Sequence, residues 1–296
     1  VSAPLGTRVV VRYRLPAGST PPLTDVIGHL EESGATVRVR TKRGDVVTIA
    51  ADDVIAMKPL SDAPVRTADI RNLEHAAALA WPGVEQHWLD GWLLRFGHGS
   101  TRRANSAIPL EASTTSDLRE IVDWYAARGV PPLIAAPDRL LRVPSGTPTD
   151  GENLVMARDL TTDLPHVSTP ALAPHPDEEW LRLLQRPVPV DVLIAEIDGA
   201  VVFATIAGAA VARAAITTSP DGTRWLGLSA LRVADEHRRQ GHARHLCTAL
   251  LQWGVDQGAH RAYAQVLVDN HSAVGLFESM GFTLHHRSRY VSATAL

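Results

Sequence analysis

Leu231-Arg-Val-Ala-Asp-Glu-His-Arg-Arg-Gln-Gly-His-Ala243 is the stretch whose reading decides the fold of this 296-residue chain. Strand-forming residues pass into a basic turn containing Gly241 and then directly into a helix-forming segment. The first N–H groups of a helix have no intrahelical acceptor, and with the positive end of the helix dipole they attract phosphate oxygens. Gly241 allows close backbone approach, and the small Ala243 leaves the first helical turn open. Strand, anion-receiving turn and helix in this order predict an α/β domain.

Further along, Asn270-His-Ser-Ala-Val-Gly-Leu-Phe-Glu-Ser-Met-Gly-Phe282 places an Asn at a strand end, then an Ala-containing helix and a closing Gly-Phe. The strand Arg261–Val268 separates the two stretches. Together they resemble the GNAT (Gcn5-related N-acetyltransferase) superfamily. Arg238-Arg239-Gln240-Gly241-His242-Ala243 is similar to its acetyl-coenzyme A loop, Arg/Gln-x-x-Gly-x-Gly/Ala after the fourth strand, and Asn270–Phe282 to its second signature. The resemblance is carried by residues 170–296. It implies an α/β (α+β) fold, a mixed sheet with helices on both faces, with acetyl-coenzyme A as co-substrate and an amine as acceptor.

The resemblance also implies roles. The fourth and fifth strands splay, and the pantetheine arm fills the gap beside Leu231, Arg232 and Val233, pairing with backbone groups of Leu231 and Val233. The N–H groups of Arg239, Gly241, His242, Ala243 and Arg244 hold the pyrophosphate, with side-chain charge from Arg238, Arg239 or Arg244. Asn270 bonds the pantetheine amide, although Asn is equally at home as a plain helix cap. Phe277 stands where many members carry a tyrosine that protonates the departing thiolate, and phenylalanine cannot donate a proton. Tyr290, Tyr263 or a water are the alternative acids. The fourth strand, Trp225–Val233, lacks a carboxylate, so Glu196, or Ser229 with a bound water, are the candidate bases. Glu196 reads equally as a solvated turn residue, and Glu236 as a structural partner of the loop arginines.

Around this domain the pattern changes. Residues 6–60 alternate apolar and polar residues in short strands, Thr7–Tyr13, Val26–Glu32, Ala35–Arg40 and Asp45–Ala50, with turns at Glu32-Ser-Gly34 and Lys42-Arg-Gly-Asp45. Residues 1–60 thus resemble an SH3-like small barrel, and Pro59–Thr67 reads as the linker out of it. Residues 66–165 begin with a helix, Asp69–Ala80, capped by Asp69 or Thr67. Strands His87–Phe96 and Asn105–Leu110, a helix Thr115–Arg128 and a strand Leu133–Ala136 follow. Trp92-Leu-Leu-Arg with Arg102-Arg-Ala-Asn-Ser106 resembles a segment that precedes the acetyltransferase domain in actinobacterial members, implying a degenerate GNAT-like half-domain without a donor site. After a Pro/Ser/Thr-rich linker at 166–174, the last domain reads as helix Pro176–Leu184, strand Val190–Ile197, an Asp198-Gly199 hairpin turn, then strands Val201–Ile206, Val211–Thr217 and Trp225–Val233. The loop, helix His242–Gln257, strand Arg261–Val268, helix Ser272–Met280 and a final strand or hairpin at Phe282–Val291 complete it.

The net charge of −3 lacks the basic excess of a nucleic-acid binder. The longest apolar run, Gly199–Ala212, is too short to cross a bilayer, so no membrane partner is expected, and no secretory leader is visible. The lone Cys247 fits a cytoplasmic location, and its helical position beside Leu246 and Leu250 predicts packing. The 13 histidines show no ligand spacing with a carboxylate, so no metal is expected. Two further function classes stay open at this point. Phe277 permits a non-catalytic acetyl-coenzyme A sensor, and Arg38, Arg40, Lys42 and Arg43 permit a barrel that docks a protein or nucleic acid. Acceptor and oligomeric state are not encoded in any motif.

Overall fold

The structure is a computed structural model that describes residues 3–16, 18–41, 44–60, 65–112, 117–165 and 167–296. The start of the Lys42–Asp45 turn, the middle of the Pro59–Thr67 linker, the first residues of the expected 115–128 helix and His166 of the 166–174 linker lie outside the described residues. The chain divides into two compact units, residues 1–64 and 65–296.

The first unit is a sheet of five strands, β1 (Arg8–Arg14), β2 (Leu23–Ser33), β3 (Thr36–Thr41), β4 (Val46–Ala50) and β5 (Val54–Pro59), ordered β4-β3-β2-β1-β5. Alternate residues point inward, and Val9, Val11, Val26, Leu30, Val37, Val39 and Ile49 form the core. Gly28 is required where β2 crosses β3, because a Cβ there would stand 2.1 Å from the Arg40 carbonyl oxygen. β5 begins after an Asp52-Asp53 turn and runs into the segment read as linker. Arg38 and Arg40 pair with Glu31 and Glu32 across the β2–β3 hairpin, so this basic strand face is neutralised within the unit.

The second unit opens with α1 (Thr67–Ala80), whose Asp69 carboxylate accepts the Arg66 N–H. The expected strand 87–96 is a hairpin of β6 (Glu85–Leu89) and β7 (Trp92–Phe96), because Asp90 and Gly91 both take positive φ, the conformation of a two-residue turn. β8 (Ile108–Pro109) completes this small sheet. Then come α2 (Arg119–Ala126), β9 (Leu133–Pro137), β10 (Asp150–Asp159), β11 (Ala171–Ala173), α3 (Glu178–Leu184) and α4 (Val190–Ile194). The unit ends with β12 (Ala200–Ile206), β13 (Ala210–Thr218), β14 (Arg224–Val233), α5 (His242–Asp256), β15 (Arg261–Leu267), α6 (His271–Ser279) and β16 (Thr283–Ser292).

Two expectations are corrected. The segment 190–197 begins as helix, because Pro189 caps it and its carbonyl takes the N–H groups of Val192 and Leu193; a short apolar run alone does not distinguish strand from helix. The boundary near 165–170 also separates nothing. β10 lies between β15 and β16 in an eight-stranded sheet ordered β11-β12-β13-β14-β15-β10-β16-β9, so 66–165 and 170–296 share one sheet.

Alternation in that sheet sends successive residues to opposite faces. Ala210, Ala212, Ala214 and Ile216 of β13 pack with Leu246, Cys247 and Leu250 of α5. Val211 and Ala215 pack with Trp180 and Leu183 of α3 and Val192 of α4, while Leu73, Ala76 and Ala77 of α1 meet Val155, Trp225 and Tyr263 on the neighbouring strands. Helices therefore cover both faces. Among the described residues no helix is long and apolar enough to cross a membrane.

Candidate active site

β14 and β15 pair in parallel from Trp225–Arg261 to Leu228–Ala264, and there the pairing stops. On its other edge β14 stays bonded to β13 as far as Val233, with a register shift opposite Val211–Arg213. Ala230 sits at that shift with φ +50, an unusual left-handed conformation for a residue with a side chain. The bulge turns β14 away and leaves the edge of Ser229–Val233 unpaired toward β15. A cleft of about 290 Å³ fills the gap, walled by Leu228–Leu231 on one side and Ala264–Leu267 on the other.

Asn270, Ala273 and Phe277 of the α6 region close one side of this cleft. Asn270 is the helix cap, its Oδ1 accepting the Ala273 N–H at 3.2 Å, which leaves its amide NH2 as the group available to a ligand. Phe277 is buried and meets Phe282 edge to face at 5.1 Å.

At the start of α5, Gly241 is the N-cap with φ +85 and no side chain caps the helix. Its carbonyl accepts the first helical bond, from His245, so the N–H groups of His242, Ala243 and Arg244 precede the intrahelical ladder. Arg239 also has positive φ, +63, which folds the loop back ahead of the helix. Arg238 pairs with Asp235 at 2.8 Å, and Arg232 bonds Gln185 at 2.6 Å and Asp235 at 3.2 Å. Arg244 donates to the Ser279 hydroxyl, tying α5 to α6. Glu236 forms no ion pair with these arginines among the described residues; its carbonyl takes the Gln240 amide.

The candidate acids and bases fare differently. Ser229 lines the cleft, and its hydroxyl donates to the Arg213 carbonyl at 3.3 Å and accepts from Arg213 Nη1 at 3.4 Å. Glu196 does not reach the cleft, because its carboxylate accepts the Gly199 N–H at 2.8 Å and closes the turn before β12. Tyr263 lies beneath Gly227 and packs on Trp225, away from the cleft lining, and burial lifts its hydroxyl to about 12. Tyr290 is the phenol that lines the cleft; burial raises its pKa too, so it keeps its proton across the working range. Cys247 is buried in α5, its thiol pushed up to about 12 by desolvation.

Sequence reasoning missed the wall contributed by residues 81–153. Trp81, Arg102, Arg103, Gly151 and Asn153 face the cleft, and Arg103, Asn153 and Tyr290 also line a smaller cavity behind it, of about 10 Å³, beside Glu74. Glu74 accepts from His286 Nε2 at 2.7 Å, and His286 and His285 share a 2.8 Å contact between their Nδ1 atoms. Arg213 is buried, donates to the carbonyls of Leu193, Ala80 and Ala195 and stacks on Trp81 at 4.4 Å. Desolvation lowers its pKa to about 9, which leaves it charged near neutral pH. Arg95, equally buried, bonds Ser106 and the Trp81 carbonyl.

A family model described as "Probable histone acetyltransferase Rv0428c C-terminal" matches residues 67–291, and one described as "Rv0428c N-terminal Sm-like domain" matches residues 3–58. The chain belongs to this family. The relative "Probable histone acetyltransferase Rv0428c" of Mycobacterium tuberculosis is 53% identical over 294 residues, covering 99% of this chain and 96% of its own length. "Uncharacterized N-acetyltransferase YobR" of Bacillus subtilis is 25% identical over 245 residues, 73% of this chain and 95% of its own. Among solved structures, a GCN5-related N-acetyltransferase from Kribbella flavida superposes with a TM-score of 0.55 at 16% identity, covering 78% of this chain and 96% of that one, which establishes the GNAT fold. This member of the Rv0428c family is thus an N-acetyltransferase. Its first unit takes the description Sm-like in place of SH3-like; both are small five-stranded barrels, and alternation alone does not separate them.

Proposed function

We propose that the protein transfers an acetyl group from acetyl-coenzyme A to a primary amine by direct attack in a ternary complex. The observation that carries this reading is the parting of β14 and β15 after Leu228 and Ala264, continuous with an uncapped α5 N-terminus. An extended pantetheine arm would add itself to the free edge of β14, pairing with Leu231 and Val233, with Arg232 held outward by Gln185 and Asp235. The N–H groups of Arg239 and of Gly241 to Arg244 would receive the pyrophosphate, with Arg238 and Arg239 adding charge at the rim. The Asn270 amide would meet the pantetheine, and Phe277 would pack beside it.

Direct attack is supported by what could carry an acyl group. The one cysteine is buried in α5, and Ser229 is committed to Arg213. Tyr290 is the acid on the cleft wall able to protonate the thiolate, and a water held by Ser229 would accept the amine proton. The M. tuberculosis relative is named for histones, so a lysine-rich peptide belongs in the panel of amines tested. A cytoplasmic location is part of this proposal.

Calorimetric titration with acetyl-coenzyme A, followed by thiol release against a panel of amines, tests the reading. Saturable binding with amine-dependent release is expected. Binding without release would return Phe277 to the role of a sensor's packing residue, and absence of binding would refute the donor assignment.

A further inference from the structure

The cleft wall opposite the donor loop has an unbalanced charge. Three guanidinium groups gather around Trp81: Arg213 with its Cζ 4.4 Å from the ring centre, Arg103 at 5.6 Å, and Arg95 bonded to the Trp81 carbonyl at 3.4 Å. Arg213 and Arg95 direct their donors to carbonyls and hydroxyls, none to a carboxylate. Arg103 forms no ion pair among the described residues, and its Nε is buried without an acceptor, as is the indole N–H of Trp81, a residue only 6% exposed. The described lining of the cleft includes Arg102, Arg103 and Arg186 but no Asp or Glu. Arg102 is offset by Asp150, Glu74 is held by His286, and Glu196 is held by Gly199. An uncompensated guanidinium with orphaned donors beside it is a site for an anion.

Resting on the acetyl-transfer reading, we propose that the acceptor is an amine bearing a carboxylate close to its amino group, and that Arg103 binds this carboxylate. The rest of the cationic wall prepares the nucleophile. With Arg103 taken up by that carboxylate, the fixed charges of Arg213 and Arg95 still disfavour the ammonium form of a nearby amine and so favour the lone pair that attacks, in a cleft whose described lining has no carboxylate. That lone pair forms the N–C bond to the acetyl carbon, the C–S bond breaks with its electron pair leaving on sulfur, the surplus amine proton passes to water, and the thiolate gains a proton. A lysine-rich tail or a polyamine brings further positive charge against Arg103 and loses affinity for it.

The experiment compares thiol release at saturating acetyl-coenzyme A for α-amino acids, their carboxamides, a lysine-rich peptide and spermidine. The carboxylate acceptors are expected to exceed their amides in kcat/KM by roughly 10- to 100-fold, the contribution of one charge-assisted bond. Arg103→Gln should bring that ratio toward one, and Arg103→Lys should retain part of it. Equal or better rates with the amides, the peptide or spermidine overturn the proposal, as does the absence of release with every carboxylate-bearing amine, and the wild-type ratio stands as a test even if a variant misfolds. Failure of acetyl-coenzyme A to bind, measured separately by titration, would instead remove the transfer reading itself.

Discussion

Replacing Gly241 by Asp and by Asn separates the charge of the donor loop from its shape. A Cβ at this position meets nothing within 4 Å, so both side chains fit, and both bear the same strain at φ +85, a conformation Asn and Asp tolerate better than other residues. The two variants differ by one negative charge at the helix N-terminus. At about 4 Å from a phosphate charge, that costs about 1 kcal/mol in a water-like dielectric and about 4 kcal/mol at an effective dielectric of 20. Against a pyrophosphate of about two charges, the lower limit is about 2 kcal/mol, or roughly 30-fold in Kd. The helix responds in the opposite sense, since a carboxylate at its positive end stabilises it by about 0.3–1 kcal/mol. The Gly241→Asp variant should therefore melt no lower than Gly241→Asn while binding acetyl-coenzyme A more weakly, and the gap should narrow in high salt. Calorimetric titration of both variants at low and high salt, with thermal melts alongside, reads all three quantities. Equal affinities, or a gap indifferent to salt, would refute a pyrophosphate at this helix.

Three other outcomes follow from the buried polar groups. Tyr290→Phe should lower kcat for thiol release by about 100-fold with the acetyl-coenzyme A Kd unchanged, as expected on loss of a general acid; a change under about threefold would place the acid elsewhere. Glu74→Gln breaks a pair whose side chains are 3% and 1% exposed, at a cost of about 3 kcal/mol, which lowers Tm by roughly 6–12 °C in a unit of this size. An unchanged melt would mean that a neutral amide serves His286 as well as the carboxylate does. Desolvation, reinforced by His286, Arg261 and Arg139, holds the His285 pKa down at about 3. The unfolded chain then binds a proton that the folded one refuses, so stability is full above about pH 6.5 and falls as pH drops toward 3, by up to about 1.4 kcal/mol per unit. His285→Asn should flatten this acid limb in pH-dependent denaturation, and an identical slope would count against a neutral buried His285.

The side of the cleft formed by β14, α5 and α6 was legible because its determinants are local. A strand, Gly241 at positive φ and a helix lie within the thirteen residues 231–243, and Asn270 and Phe277 share one short helix. The wall contributed by residues 81–153 was not. β10 is a central strand whose fully buried apolar residues are only Val155, Met156 and Ala157, and its first half is polar. Of that first half only Gly151 and Asn153 line the cleft, and its partners, β15 and β16, come more than a hundred residues later, where a short apolar patch after a Pro/Gly/Ser/Thr-rich stretch does not announce such pairing. The bulge at Ala230 was equally hidden, since alanine gives no sign of left-handed backbone, whereas the Asp90-Gly91 turn carried a signal that could have split the expected 87–96 strand.

The position of β10 changes what residues 66–165 are for. Read as a degenerate half-domain, they carry no donor site; in the sheet they supply a wall of the cleft opposite β14. α1 ends at Trp81, the loop between β7 and β8 carries Arg102 and Arg103, and Asn105 fixes that loop by accepting the Gly97 and Gly99 N–H groups and donating to the Thr101 carbonyl. Arg95 and Arg213 bind backbone carbonyls from several elements, so their charges are placed by the fold and cannot swing toward solvent. A mobile carboxylate would neutralise an incoming amine's positive charge and thereby favour its protonated form. On the proposed reading, fixed cations beside a cleft whose described lining holds no carboxylate would push the other way, toward the neutral amine, so that attack would need no carboxylate base in β14.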